Sequence, residues 1–262
     1  MIKCPLLNPI RFHGTAPDYS TSFPNMDNIT QRTKYIEGVE ATQYFKEWLY
    51  GKTLDLQFEY EEGDDFTLSI YKYDQTTEAY ILNSTSSGTI ITPAGWIGNG
   101  FVKHSLSLDE GTYYLKFSDD YTSDVFTVIN ALNLKKKLIE IVYTNSDNDF
   151  GCILEGQTLS QYLTGQLILG NPENEISAFQ SDRGELIKLS ATPRRNAQLN
   201  INELHYSYAD HINLIFSCDT ITINGVTYQN DEMPTIETIE GCDLINIVVK
   251  LTQTNNTYQY GR

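Results

Sequence analysis

Basic residues are scarce in this sequence: 18 Lys and Arg stand against 34 Asp and Glu, a formal charge of −16. Such a surface repels a phosphate backbone and forfeits the counterion release that drives non-specific nucleic-acid binding. No nucleic-acid partner is expected, and the one basic run, Lys135-Lys136-Lys137, reads as a solvated face. Cysteine is sparse too. The four, at positions 4, 152, 218 and 242, form no C-x-x-C pair and suggest neither a zinc site nor a disulfide framework, so free thiols serving as small core residues are expected. No apolar run approaches the roughly 18 residues of a membrane span, and residues 1–9 hold nothing suited to a signal peptide. The expectation is a chain made in a cytoplasm, with no membrane partner.

Motifs for catalysis and cofactors are missing as well. The histidines at 13, 104, 205 and 211 have no spacing that would place two rings on one metal. There is no G-x-S-x-G elbow and no P-loop, and Gly95-Trp96-Ile97-Gly98-Asn99-Gly100 runs into Phe101-Val102 instead of a helix. The adjacent acids Asp64-Asp65 and Asp119-Asp120 fall in turns, whereas a glycosidase pair must flank a bond from two separate strands. Asn145, Asp147 and Asp149 occupy the first ligand positions of a calcium loop, but its glycine falls one residue late, at Gly151, and Gly156 stands where a bidentate Glu belongs. A structural turn is expected there. These residues imply no catalytic residue, no metal and no cofactor.

What is present is β patterning. The run Ser107-Leu108-Asp109-Glu110-Gly111-Thr112-Tyr113-Tyr114-Leu115-Lys116-Phe117-Ser118 is a turn feeding an alternating strand, with Gly111 for a positive φ and a Tyr to anchor the corner. Residues 53–60 alternate strictly, with Leu54, Leu56, Phe58 and Tyr60 on one face. Phe66, Leu68 and Ile70 repeat the pattern, and further strands are expected at 80–82, 89–92, 101–108, 113–117 and 125–129. About six or seven short strands with regular turn signals suit an immunoglobulin-like sandwich over residues 51–131. Residues 130–137 make the boundary, and 138–262 form a second β-rich domain. Its strands are expected at 138–143, 150–154, 166–169, 186–189, 212–216 and 244–252, with helical turns at 159–163 and 202–208. Within 221–228, Asn224-Gly225 between two alternating runs specifies a two-residue type I′ hairpin.

Residues 1–50 form a separate region. Pro5, Pro9, Pro17 and Pro24 prevent a regular helix or central strand over 1–34, leaving either a tail or an extended arm with Ile10, Phe12, Phe23 and Met26 as anchors. Across 37–50, apolar residues at 41, 44, 45, 48 and 49 approach helical spacing, with Gly51 placed as a cap, so a short helix is expected. The expected fold is therefore all-β: two β-sandwich-type domains in series, the first Ig-like, preceded by an extended arm and a short helix. The 18 tyrosines and Trp96 also permit a glycan contact, through rings that stack on sugar faces, although Tyr is equally a favoured strand residue.

Three stretches carry a resemblance. The first runs from Asp124-Val125-Phe126-Thr127-Val128 into Lys137-Leu138-Ile139-Glu140-Ile141-Val142-Tyr143-Thr144-Asn145-Ser146-Asp147-Asn148-Asp149-Phe150-Gly151. The others are Ser181-Asp182-Arg183-Gly184-Glu185-Leu186-Ile187-Lys188-Leu189 and, beyond the 212–216 segment, Ile221-Thr222-Ile223-Asn224-Gly225. In texture and order, over about residues 51 to 262, the chain resembles tail-associated structural proteins of phages that infect Bacteroidetes, crAss-like phages among them. The resemblance implies a virion tail or collar ring subunit with no reaction to catalyse. Its implied partners are further copies in a cyclic homo-oligomer and other tail, collar and portal-proximal proteins. On this reading Phe12 and Phe23 anchor the arm on a neighbouring subunit or ring layer. The alternative is a carbohydrate-binding module of a receptor-binding or surface apparatus, with Trp96 as its contact residue.

Overall fold

A computed structural model describes residues 8–13, 35–36, 39–40, 46–61, 66–92, 99–118, 121–133, 138–145, 158–180, 186–205, 208–230, 232–240 and 244–254. The chain is all-β, as expected, with one short α-helix among the described residues. It divides into two compact units, Met1–Leu138 with Val142–Leu163 and Ile139–Ile141 with Thr164–Arg262.

In the first unit, β1 (Phe12–His13), β4 (Lys46–Leu49), β6 (Leu68–Asp74), β7 (Ala79–Ser86), β10 (Gly111–Phe117), β11 (Tyr121–Ser123) and β12 (Phe126–Ile129) form one sheet. A second sheet has the order β5 (Leu54–Glu61), β9 (Asn99–Leu106), β8 (Thr89–Ile91), and β2 (Tyr35–Ile36) pairs separately with β3 (Val39–Glu40). The two larger sheets share one core. Leu54, Leu56 and Phe58 from β5 join Leu68, Ile70, Tyr113, Leu115, Phe117 and Phe126 in a single buried cluster, and Phe58 stacks on Phe117 at 3.8 Å. The strict alternation in residues 53–60 is what turns every second side chain of β5 toward that core. At the corner before β10, the Tyr113 hydroxyl donates to the Asp109 carbonyl at 2.9 Å. Gly111 has φ +153°, a backbone conformation that residues with a Cβ rarely adopt, so the turn favours glycine.

One expectation for the N-terminal region is corrected. Residues 46–49 are strand, not helix: β4 runs parallel to β12, pairing Lys46 with Phe126 and Trp48 with Val128. The inward residues are Lys46 and Trp48, two apart, so sheet pairing has overridden a near-helical apolar spacing whose other members, 41, 44 and 45, lie outside the described residues. Residues 8–13 close their own sandwich. β1 pairs with β11, Ile10 is fully buried, and the Asn8 side chain both donates to the Gln57 carbonyl at 2.7 Å and accepts from its N–H at 2.8 Å. Asn8 thereby imitates a strand partner for β5.

The remaining sheet has the order β15-β14-β13-β16-β17-β19-β18 and comprises β13 (Leu138–Thr144), β14 (Thr158–Gln180), β15 (Leu186–His205), β16 (Thr220–Ile223), β17 (Val226–Asn230), β18 (Thr235–Thr238) and β19 (Leu244–Gln253); it belongs to the second unit except for Leu138 and residues 142–144 of β13 and residues 158–163 of β14, which count with the first. An additional β15–β19 pairing makes six of these strands a closed circuit, with β18 added beside β19. Asn224 and Gly225 turn β16 into β17 at φ +49° and +82°, the positive values a type I′ turn demands. The segment expected as a strand at 212–216 is instead helix α1 (Ala209–Ile215). His211, Ile212, Ile215 and Phe216 are its buried residues and the turn that follows, a spacing of three to four that fits a helix face. The helical turns expected at 159–163 and 202–208 are likewise corrected: 159–163 lies in β14 and β15 continues to His205.

Candidate functional site

The longest element pair in the chain is β14 with β15. Their register runs from Gly165↔Ile201 to Gln180↔Leu186, with irregularities at Leu169/Pro172 and Ser177/Ala178. β19 accompanies β15 only from Asn196 to His205. On the other side, Ile139 lies against Gly165, so the seven residues of β13 reach no further than about residue 170 along β14. Among the described residues no third strand pairs with β14 or β15 between Pro172↔Arg195 and Gln180↔Leu186, a ribbon about 30 Å long at roughly 3.3 Å per residue. The sequence showed only its ends, at 166–169 and 186–189. Gly170-Asn171-Pro172-Glu173-Asn174-Glu175 carries no strand signal, and Pro172 is tolerated there because a two-stranded ribbon has edges.

Exposed apolar side chains mark the base of this ribbon. Ile168 is 44% exposed and Leu169 50%, and beside them lies an open cavity of about 350 Å³ lined by Ile168, Gly170, Asn196, Ala197, Lys250 and Leu251. Lys250 reaches Glu232 at 2.6 Å, which holds its ammonium above the usual lysine range. A scan of protein-family models and a search of curated proteins gave no match to this chain.

Of the residues singled out for interaction, Phe12 is partly buried against the core, meeting Phe58 edge-on at 5.0 Å. Phe23 and Trp96 lie outside the described residues, as does the loop from 146 to 151. Among the described residues no three His, Cys, Asp or Glu side chains gather as a metal would require, and no helix is long and apolar enough to cross a membrane. Cys218 is buried and its thiol donates to the Leu214 carbonyl at 3.6 Å; the other three cysteines are not described. Tyrosine clusters on the outer face of the first unit: Tyr71 and Tyr114 stack at 4.6 Å, and Tyr80 packs edge-on against both Tyr114 and Tyr73. Tyr71 and Tyr114 each give one ring face to the other, which favours a cross-strand ladder over a flat platform for sugars. Burial, reinforced by its tyrosine neighbours, pushes the Tyr80 hydroxyl well above the usual range.

A buried polar cluster escaped the sequence reading. Lys46, only 6% exposed, donates from Nζ to the Pro9 carbonyl and to Gln161 Oε1, the latter at 2.8 Å. Gln161 and Asp124 are fully buried. Burial pushes the Lys46 amine down to about 7, and the Asp124 carboxylate offsets part of that fall. Trp48 and Tyr162, neighbours of Lys46 and Gln161 along the chain, meet edge-on at 4.7 Å. Only the inward position of Lys46 in an alternating strand signals this cluster, and the near-helical apolar spacing over 37–50 points to a helix there instead.

Proposed function

We propose that the chain is a non-enzymatic structural subunit of a phage tail or collar, assembling into a ring with copies of itself and joining neighbouring virion components. The observation that supports this most is the β14–β15 ribbon. Two strands without a third are marginal in water, so a ribbon of this length gains stability by lying on another surface. Its two edges offer main-chain donors and acceptors for strand addition, a common way for β-proteins to build an interface. Docking of the ribbon on a different surface of the next copy would be the unlike contact that a cyclic assembly needs.

The test is native mass determination with negative-stain microscopy on the full chain and on a variant in which residues 172–195 are replaced by a tight turn. Closed rings or stacks from the full chain, with monomers from the shortened one, are expected. Rings that form equally well without the ribbon would remove the support for this reading. Saturable glycan binding by a full-length chain that forms no rings would favour the carbohydrate-binding alternative.

A further inference from the structure

Lysine is almost never fully buried unless paired, and the Lys46 side chain is enclosed with two groups of complementary chemistry, a carboxamide and a carboxylate. Oε1 of Gln161 lies 2.8 Å from the amine, which puts the carboxamide carbon one bond further on, within reach of attack after a small rotation. Asp124 is fully buried and close enough to act electrostatically on the same amine. We propose that Lys46 and Gln161 become joined by an intramolecular isopeptide bond, formed by the protein on itself.

The step balances without a further reactant. The Nζ lone pair attacks Gln161 Cδ, and the carbonyl π pair moves onto Oε1. Asp124 takes a proton from the attacking nitrogen and returns it to Nε2 of the carboxamide. The Cδ–Nε2 bond then breaks as the carbonyl reforms, and the nitrogen leaves as ammonia. The product is a secondary amide between Lys46 and Gln161, with Asp124 regenerated. Three conditions favour the reaction: an amine lowered to about 7, so that much of it is neutral near physiological pH; a site buried from water, which disfavours hydrolysis; and a partner already oriented by a hydrogen bond. The consequence would be topological. Lys46 lies on β4 and Gln161 on β14, 115 residues apart and both within the first unit, so the bond would close a covalent loop through much of that unit. This inference does not depend on the proposed virion role.

Intact mass and tryptic peptide mapping of the full chain under denaturing conditions decide it. The expected result is a mass one ammonia below that of the unmodified chain, no cleavage after Lys46, and a branched peptide joining the segments around Lys46 and Gln161. Lys46→Met and Gln161→Ala should each restore the unmodified mass. Asp124→Asn, checked for a native circular dichroism spectrum, should leave the bond unformed or form it at least tenfold more slowly. A wild-type chain of unmodified mass with ordinary cleavage after Lys46 would overturn the proposal and leave the cluster a non-covalent lock. Complete cross-linking in a folded Asp124→Asn chain would overturn the role of the carboxylate.

Discussion

His104 shows how a single side chain ties this fold to pH. It is fully buried and packs edge-on against both Phe58 and Phe117, its Nδ1 is 3.0 Å from the Ser86 hydroxyl, and among the described residues its Nε2 meets no hydrogen-bond partner. Burial pushes the ring down to about 4, and a weaker contact with the Phe66 backbone offsets only part of the fall. Above pH 6.5 the ring is neutral in both folded and unfolded chains, and it contributes nothing to the pH dependence. Between 6.5 and about 4 the unfolded chain binds a proton that the folded one refuses, so stability falls as pH falls, by about 1.4 kcal/mol per pH unit at most. Urea midpoints at pH 7, 6 and 5 should drop steadily for the wild type and less steeply for His104→Phe. Equal slopes would show that His104 is not held neutral. Lys46 acts in a separate window: its lowered amine makes stability rise with pH from about 7 toward 10.5, wherever that amine is not acylated.

At the scale of elements, the strap at residues 8–13 closes its own sandwich. Phe12 covers Phe58, and Asp124 N–H donates to the Arg11 carbonyl at 2.8 Å, so the strap belongs to the core it closes. Phe12→Ala should cost about 2 kcal/mol, less than a fully buried Phe because the ring is only partly enclosed, and urea unfolding of the first unit checks it. An unchanged midpoint would return the segment to the role of a free arm. The elements legible in the sequence were those whose local pattern agreed with their packing, such as the alternation in β5, the corner at Tyr113 and the turn at Asn224-Gly225. Those misread had patterns open to two readings. Ile212-Asn213-Leu214-Ile215-Phe216 is apolar enough for a strand, yet its buried residues follow helical spacing. The polar middle of β14 persists as strand because β15 pairs with it, and no residue within that stretch announces a partner about twenty positions away. The Lys46, Asp124 and Gln161 cluster was hidden for the same reason, since only the folded chain brings those positions together.

For the whole molecule, the charge of −16 bears directly on assembly. Copies of so acidic a chain repel one another at low ionic strength, and salt screens that repulsion over a Debye length of about 10 Å at 0.1 M. Ring formation by the purified protein should therefore strengthen as salt is raised from about 0.02 to 0.3 M, followed by native mass or light scattering. Association that weakens with salt would instead point to a contact between opposite charges. The closed circuit of the second unit also sets the timing of its folding. β15 pairs along residues 196–205 with β19, so the circuit cannot close until Leu244–Gln253 has been synthesised. On the ribosome, one flank of β15 waits without its neighbour while α1 and three further strands emerge. For that interval the nascent chain offers an open strand flank to any other nascent chain beside it, so crowded translation of this message is the circumstance most apt to produce misassembly.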